Sequence, residues 1–273
     1  MTAAATPTSP FGFDDLRGRR VLITGASSGI GAAIAAAFGA VGAHVGIQYH
    51  RGEAAAAQLM RAITQAGGQA TCLKADLSDP AAYAELARAA VEQLGGVDIL
   101  INNAGSLIGR RAFDAIDEAL FDSVFDLNVR AVAGLTSALV PALRQSGQGV
   151  IINTSSVAAR NGGGPGSLLY AAAKGAINTL TLGLAKELGP LGIRANVVSP
   201  GVVVTPFHEG NTTDEALERV RAMVPLGRLG RVEDCVGAFL FLASPSLSGY
   251  VSGAVIEISG GRVGPPAITP PWL

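Results

Sequence analysis

Arg20-Val21-Leu22-Ile23-Thr24-Gly25-Ala26-Ser27-Ser28-Gly29-Ile30-Gly31 is an apolar run that ends in a glycine-rich turn. The apolar part, residues 20–24, reads as a short buried strand. Residues 32–40, small and helix-prone, follow directly. Strand, glycine turn and helix in this order allow a backbone to approach a pyrophosphate, which then rests on the helix N-terminus. The spacing is Gly-x-x-x-Gly-x-Gly, not the more familiar Gly-x-Gly-x-x-Gly. Taken alone it also fits a turn that merely packs helix against strand. Its position straight after the first strand favours the dinucleotide.

Working outward, the rhythm repeats. Strands are expected at 44–49, 70–75, 97–101, 150–154, 193–198 and 254–258. Helices are expected at 54–65, 80–94, 169–188 and 232–243, with one long or two consecutive helices over 113–144. No composition break separates these elements, so a parallel sheet covered on both faces is expected. The predicted fold is α/β: a Rossmann-type, doubly wound, seven-stranded parallel sheet with helices on both faces, in one domain spanning 18–262. Residues 1–17 read as a flexible tail, and 263–273, with Pro265, Pro266, Pro270 and Pro271, as a Pro-rich one. Segment 206–228 interrupts the rhythm after the sixth strand and reads as a substrate lid.

Composition narrows the function. Of 273 residues, 49% are hydrophobic and 15% charged, which excludes a disordered chain and favours a large core. Lys+Arg number 20 against Asp+Glu 21, so there is no basic field for nucleic acid. Cys72 and Cys235 are too few for a disulfide framework or zinc site and read as buried thiols. No uninterrupted apolar run reaches membrane length, and Met1 to Pro10 lacks the pattern of a secretory signal, so the expected location is cytoplasmic with no membrane partner. His44, His50 and His208 have no ligand partners at useful spacing, and no metal is expected.

An acid some 20 residues after the glycine turn would bind the ribose hydroxyls of NAD. Tyr49, His50 and Arg51 stand there instead. Arg51 either meets a 2′-phosphate, leaning the choice between NADP and NAD towards NADP, or opens the next helix in solvent.

Further motifs come in a fixed order: Asp76-Leu77, Asn102-Asn103-Ala104-Gly105, Asn128, Ser155-Ser156, Tyr170-Ala171-Ala172-Ala173-Lys174, and Pro200-Gly201 with Thr205. With the glycine turn, they make the chain resemble the classical short-chain dehydrogenases/reductases from about Gly18 to Gly261. The resemblance implies an NAD(P)-dependent oxidoreductase acting on CH–OH groups. It implies cofactor contacts from Gly25, Ser27, Ser28, Gly29, Ile30 and Gly31, from Tyr49, His50 and Arg51, and from Asp76 and Leu77, with Asp76 accepting from the adenine amino group. Contacts are also implied from Asn103, Ala104 and Gly105, from Tyr170 and Lys174, and from Pro200, Gly201, Val203 and Thr205. For Asp76 a helix N-cap is the plainer alternative, which Ser78 or Asp79 equally supplies.

Tyr170 and Lys174 are spaced i, i+4 and share a helix face. A free phenol is a poor base at neutral pH, and a neighbouring ammonium would favour its ionised form. The resemblance makes Tyr170 the acid/base and Lys174 its tuning group. It places the catalytic hydroxyl on Ser156, with Ser155 facing the other way, and a water-anchoring role on Asn128, otherwise a helix-interior Asn bonded to backbone.

Substrate contacts are expected from Ser106, Arg160, Asn161 and His208, with Arg110, Arg111 and Asn211 nearby. Their polarity points to a sugar, polyol or keto sugar acid. Alternatives are a 3-oxoacyl-[acyl-carrier-protein] reductase, and a silent cofactor-binding scaffold, which the presence of both Tyr170 and Lys174 disfavours. The family pairs the helix at 169–188 and the middle one across subunits, implying a homotetramer or dimer.

Overall fold

The central strands are apolar on both faces, which favours a buried parallel sheet. In the computed structural model, which describes residues 12–205 and 213–262, β1 (Arg20–Ile23), β2 (His44–Tyr49), β3 (Gln69–Lys74), β4 (Ile99–Asn102), β5 (Val150–Thr154), β6 (Arg194–Pro200) and β7 (Val255–Ile258) build one sheet. Its order is β3-β2-β1-β4-β5-β6-β7, every pairing parallel. Order reverses at β1 and β4. In a doubly wound sheet, that reversal opens a crevice outside the carboxyl ends of the strands.

Side chains alternate between two cores, as the pleat requires. Val21, Ile23, Ile99, Ile101, Val150 and Ile152 face one way. They pack with α1 (Gly29–Ala40), α2 (Glu53–Gln65) and a later helix, Val232–Ala243, through Ile34, Phe38, Ile63 and Phe239. Leu22, Leu100 and Ile151 face the other way, against α3 (Ala82–Leu94) and a helix over Ala131–Gln145. Each of those strand residues is fully buried, and with the helix residues they form the core whose burial drives folding.

The middle segment is broken, not one helix. α4 (Glu118–Phe125) runs through a π-helical turn, Asp126–Arg130, into α5 (Ala131–Gln145). After β5 come α6 (Ala158–Asn161), one turn long, and α7 (Leu168–Leu188). After β6 come α8 (Asp214–Ala222), α9 (Val232–Ala243) and α10 (Pro245–Ser248).

Three expectations need correction. Residues 12–17 are packed: a 3-10 turn at Asp14–Leu16 buries Leu16 completely, and the Asp15 carboxylate accepts from Ser244 Oγ at 2.7 Å and Ser246 N at 2.9 Å. Cys235 is a buried thiol, but Cys72 is only half-buried, because β3 is an edge strand with one side open. Thr24 lies off the end of β1; its hydroxyl ties the turn instead. The remainder of both tails, and 206–212 of the expected lid, fall outside the described residues.

The stretches Glu118–Gln145 and Leu168–Leu191 are long and apolar enough, by length and composition, to cross a membrane. In the fold they pack against the sheet, α5 on β4 and β5 and α7 on β5 and β6.

Candidate active site

The glycine turn is shaped by contacts that leave no room for side chains. Gly25 and Gly29 have φ of 62° and 55°, which favours glycine. A methyl on Gly31 would lie 2.3 Å from Gly25 O and 2.6 Å from Asn103 Nδ2. The turn is pinned from two sides. Gly25 N donates to Gln48 Oε1 at 2.8 Å, and Gln48 Nε2 donates to Ala75 O at 2.8 Å. Thr24 Oγ1 accepts from Asn103 N at 2.9 Å and Ala104 N at 3.0 Å. First-turn N–H groups of a helix have no intrahelical partner, and no side chain caps α1 at Ser28. The amides therefore face the crevice, ready for an anion.

That crevice is a cavity of about 790 Å³. Its wall runs from Arg51 and Asp76, past the glycine turn, to Ser156 and Tyr170. Every residue expected to contact a cofactor lines it: the six of the glycine turn, Tyr49, His50, Arg51, Asp76, Leu77, Asn103, Ala104, Gly105, Tyr170, Lys174, Pro200, Gly201, Val203 and Thr205. Size, glycine cradle and uncapped helix end fit a dinucleotide.

At the end formed by β2 and β3, His50 Nε2 stands 3.5 Å from Asp76 Oδ2. Asp76 Oδ1 accepts from Ser78 Oγ at 2.7 Å and Ser78 N at 2.9 Å. Those bonds first, then the nearby His50 and Arg51, hold its carboxyl below the usual range. None of Asp76, Ser78 and Asp79 caps α3: its N-cap is Ala81 with no side-chain cap, and the Asp79 carboxylate only closes a turn by accepting from Ala81 N at 2.9 Å.

Strand ends hold the middle of the site. Asn102 Nδ2 donates to Asn153 Oδ1 at 2.8 Å and Thr136 Oγ1 at 3.1 Å, and Asn153 Nδ2 donates to Thr181 Oγ1 at 2.9 Å. This buried polar chain locks β4, β5, α5 and α7 together. Thr136, Asn153 and Thr181 were not singled out by sequence, since each sits inside an apolar run with no motif to flag it.

At the other end, Tyr170 and Lys174 share the inner face of α7, with Nζ 5.6 Å from the ring centroid. Lys174 is 3% exposed and donates to Thr154 O at 2.9 Å. Burial pulls its ammonium down to about 8. Ser156 shares a hydrogen bond with the phenol, and accepts from Ala158 N at 3.1 Å. Ser155 turns away, its Oγ donating to Lys174 O at 3.0 Å. Burial nevertheless pushes Tyr170 up to about 12, outweighing the Ser156 bond. The ammonium, which with the positive nicotinamide of an oxidised cofactor was expected to favour the phenolate, does not by itself offset this: desolvation of the phenolate is the larger effect.

Asn128 is fully buried in the π-helical turn, behind the cavity wall. Its Nδ2 donates to Ser106 O and Val124 O, both at 2.9 Å, while buried Oδ1 has no acceptor role filled. A methyl on Gly105 would lie 2.7 Å from that Oδ1 and 3.0 Å from Lys174 Nζ, so only glycine lets the two approach the same point. The extra residue of a π turn re-aims a side chain, and such turns recur at functional sites.

A protein-family model described as enoyl-(acyl carrier protein) reductase matches residues 25–262. The 3beta-hydroxysteroid dehydrogenase 1 of Eggerthella lenta is 38% identical over 252 residues, 91% of this chain and 95% of the relative. Among solved structures, an NADH-dependent reductase A1-R′, complexed with NAD and from a protein responsible for alginate metabolism, is 38% identical. It covers 93% of this chain and 100% of its own, at a TM-score of 0.84. A short-chain dehydrogenase from Burkholderia cenocepacia in complex with NADP is 34% identical over 92% of this chain and 100% of its own, with a TM-score of 0.85. The chain belongs to the classical short-chain dehydrogenase/reductase family.

As a short-chain dehydrogenase/reductase it is an oxidoreductase. Its substrate end departs from expectation in three places. Arg160 Nη1 is paired with Glu257 Oε1 at 2.9 Å, and Arg160 does not line the cavity. Ser106 does not line it either; its hydroxyl accepts from Ile108 N at 3.1 Å, closing a local turn. Arg111 is exposed and turned to Arg110 O at 2.9 Å. Asn161 does line the cavity, its Oδ1 accepting from Gly163 N at 3.0 Å. His208 and Asn211 lie outside the described residues. Lining residues absent from the expectation include Gln48, Leu107, Ile108, Ser167, Val202 and Arg262. Ile108 has a φ of 60°, a strained value for a β-branched residue.

Proposed function

We propose that this oxidoreductase interconverts a secondary alcohol and a ketone on a small polar substrate such as a sugar, polyol or keto sugar acid. The cofactor is NAD(P). When bound, it supplies and accepts the hydride. The observation that carries the reading is the meeting of Ser156, Tyr170 and Lys174 at one end of a dinucleotide-sized cavity.

In reduction, Tyr170 gives its phenolic proton to the carbonyl oxygen of the substrate; in oxidation it takes the proton from the alcohol. Ser156 holds the same substrate oxygen in line. Lys174, desolvated and anchored by Thr154 O, stabilises the phenolate formed when Tyr170 has given its proton, and re-protonates it through a water between Lys174 Nζ and Asn128 Oδ1. The glycine turn and the α1 amides hold the pyrophosphate, Asp76 and Leu77 the adenine, and Pro200, Gly201, Val203 and Thr205 orient the nicotinamide. Asn161 and Ser167 offer polar contacts to the substrate. Exposed Phe121 of α4 and Leu168 and Leu182 of α7 support a homo-oligomer built across those helices.

NADP is the preferred cofactor in this reading, because Arg51 and His50 line the end where a 2′-phosphate would lie and no acid stands in their place. Arg51→Ala is expected to weaken NADP by about ten-fold, the scale of one charge-assisted hydrogen bond, with a smaller effect on NAD. Cofactor fluorescence titrations check it; an equal effect on both would leave Arg51 in solvent.

Burial of Lys174 and Tyr170 also predicts a pH signature without substrate. Lys174 has a folded pKa near 8, below its unfolded value, so the protein gains stability as pH rises from about 8 towards 10. Tyr170, folded near 12, acts oppositely: its contribution is lost as pH rises from 10 towards 12. Thermal unfolding should therefore peak near pH 10, and Lys174→Met should flatten the rise between 8 and 10. An unchanged slope in that variant would mean that the ammonium is not desolvated.

The reaction itself is tested by a panel of polyols, sugar acids, simple alcohols and acyl thioesters with both cofactors. Turnover confined to long acyl thioesters would replace the polar-substrate reading.

A further inference from the structure

Several arginines of this fold are paired with acids. Arg20 is paired with Asp98, Arg130 with Asp126, Arg160 with Glu257, Arg221 with Glu218 and Arg228 with Asp234. Arg262 is not among them, and its position sets it apart. It lines the cavity and is partly buried, yet among the described residues no carboxylate or carbonyl accepts from its guanidinium. Burial alone shifts it, downwards, with no anion to offset the loss of water. A guanidinium stays charged at any working pH, so the position holds a standing positive charge.

Its place in the sheet says which end it serves. Arg262 follows β7, at the edge opposite β3, whose end carries Asp76. The turn before it packs on the loop after β6: a methyl on Gly201 would lie 3.0 Å from Ser259 Cα, and Arg262 N donates to Ser259 O at 3.2 Å. Asp76, the one acidic residue among the described residues that line the cavity, follows β3 at the opposite edge of the sheet. Among the described residues, the charged lining groups toward the substrate end are Arg262, Arg110 and Lys174, all basic. Arg110, on the loop after β4, is held by donation from Nη1 to Pro165 O at 2.8 Å, and a methyl on Gly164 would sit 3.7 Å from the same Nη1.

We infer that the substrate carries a carboxylate, and that Arg262, with Arg110, is the group that selects it. This rests on the reading of a small polar substrate and narrows it to acids. A carboxylate completes the hydrogen bonding of the Arg262 fork, in the bidentate geometry that suits both partners. Neutral polyols leave the charge without a partner, which weakens their binding.

The test compares gluconate with gluconamide and with glucitol, using the full chain with NAD and with NADP. Wild type is expected to favour gluconate over gluconamide in kcat/KM by about ten-fold, the scale of a charge-assisted hydrogen bond. Arg262→Gln should erase that preference, chiefly through KM for the acid, and Arg262→Lys should restore part of it. The Kd for NAD(P)H, read by fluorescence, separates substrate from cofactor: a Kd weakened ten-fold in Arg262→Gln would assign the arginine to the cofactor and overturn the inference. Equal turnover of acid and amide in wild type would overturn it while leaving the polar-substrate reading intact. Reaction of simple secondary alcohols with none of these three would end both.

Discussion

Tyr170→Phe should lower turnover by roughly 10²- to 10⁴-fold, the usual contribution of a positioned general acid/base, while the Kd for NAD(P)H stays within two-fold. The ring keeps its packing against α7 and its place 5.6 Å from Lys174 Nζ. Only the oxygen that shares a bond with Ser156 is removed. Kinetics with the best substrate of the panel, beside a cofactor titration and a melting curve, separate chemistry from folding. Activity within ten-fold of wild type would move the proton transfer to another group.

The second large effect lies in the glycine turn. Gly31→Val places a branched side chain where even a methyl would lie 2.3 Å from Gly25 O and 2.6 Å from Asn103 Nδ2. Backbone must shift, and that backbone is the cradle. A displacement of about 1 Å in a positioned site costs on the order of 10²-fold in rate, so turnover should drop on that scale, with cofactor affinity falling alongside it. Overpacking adds roughly 1–3 kcal/mol of destabilisation, visible as a lower Tm. Unchanged affinity for NAD(P)H would mean that the turn does not hold the pyrophosphate.

Much of the fold was legible because buried parallel strands leave a strong trace. Val150–Thr154 and Val232–Ala243 run over the residues that the sequence reading predicted, since each is bounded by glycine or polar residues and apolar within. The alternation of strands and helices pointed to a doubly wound, seven-stranded parallel sheet, and that is what forms. What escaped was geometry without a residue signature. The π-helical turn at Asp126–Arg130 looks like ordinary helix in sequence, yet it buries Asn128 and frees its Oδ1. Gln48 reads as one more strand residue, but it bridges the glycine turn and the end of β3.

The candidate site divides in the same way. Groups fixed by local spacing, such as Tyr170 and Lys174 one helical turn apart, came together as expected. Groups whose direction depends on distant partners did not. Arg160 looked like a substrate ligand until Glu257, on β7, was seen to hold it. Arg262 was hidden next to a Pro-rich tail, and only the sheet order brings it to the cavity. The phenol itself carries a related lesson. An ammonium nearby suggests a lowered pKa, but desolvation acts in the opposite direction and is the larger effect, taking Tyr170 to about 12.

That leaves a definite requirement on the account. For Tyr170 to act as a base near neutral pH, positive charge beyond Lys174 must reach it when the oxidised cofactor binds. Phenolate absorbance, titrated with and without NAD(P)+ and corrected with the Tyr170→Phe variant, measures this directly. Ionisation of Tyr170 should move down from about 12 by two or more pH units on binding. If it titrates at the same pH with and without the oxidised cofactor, this tyrosine is not the proton carrier.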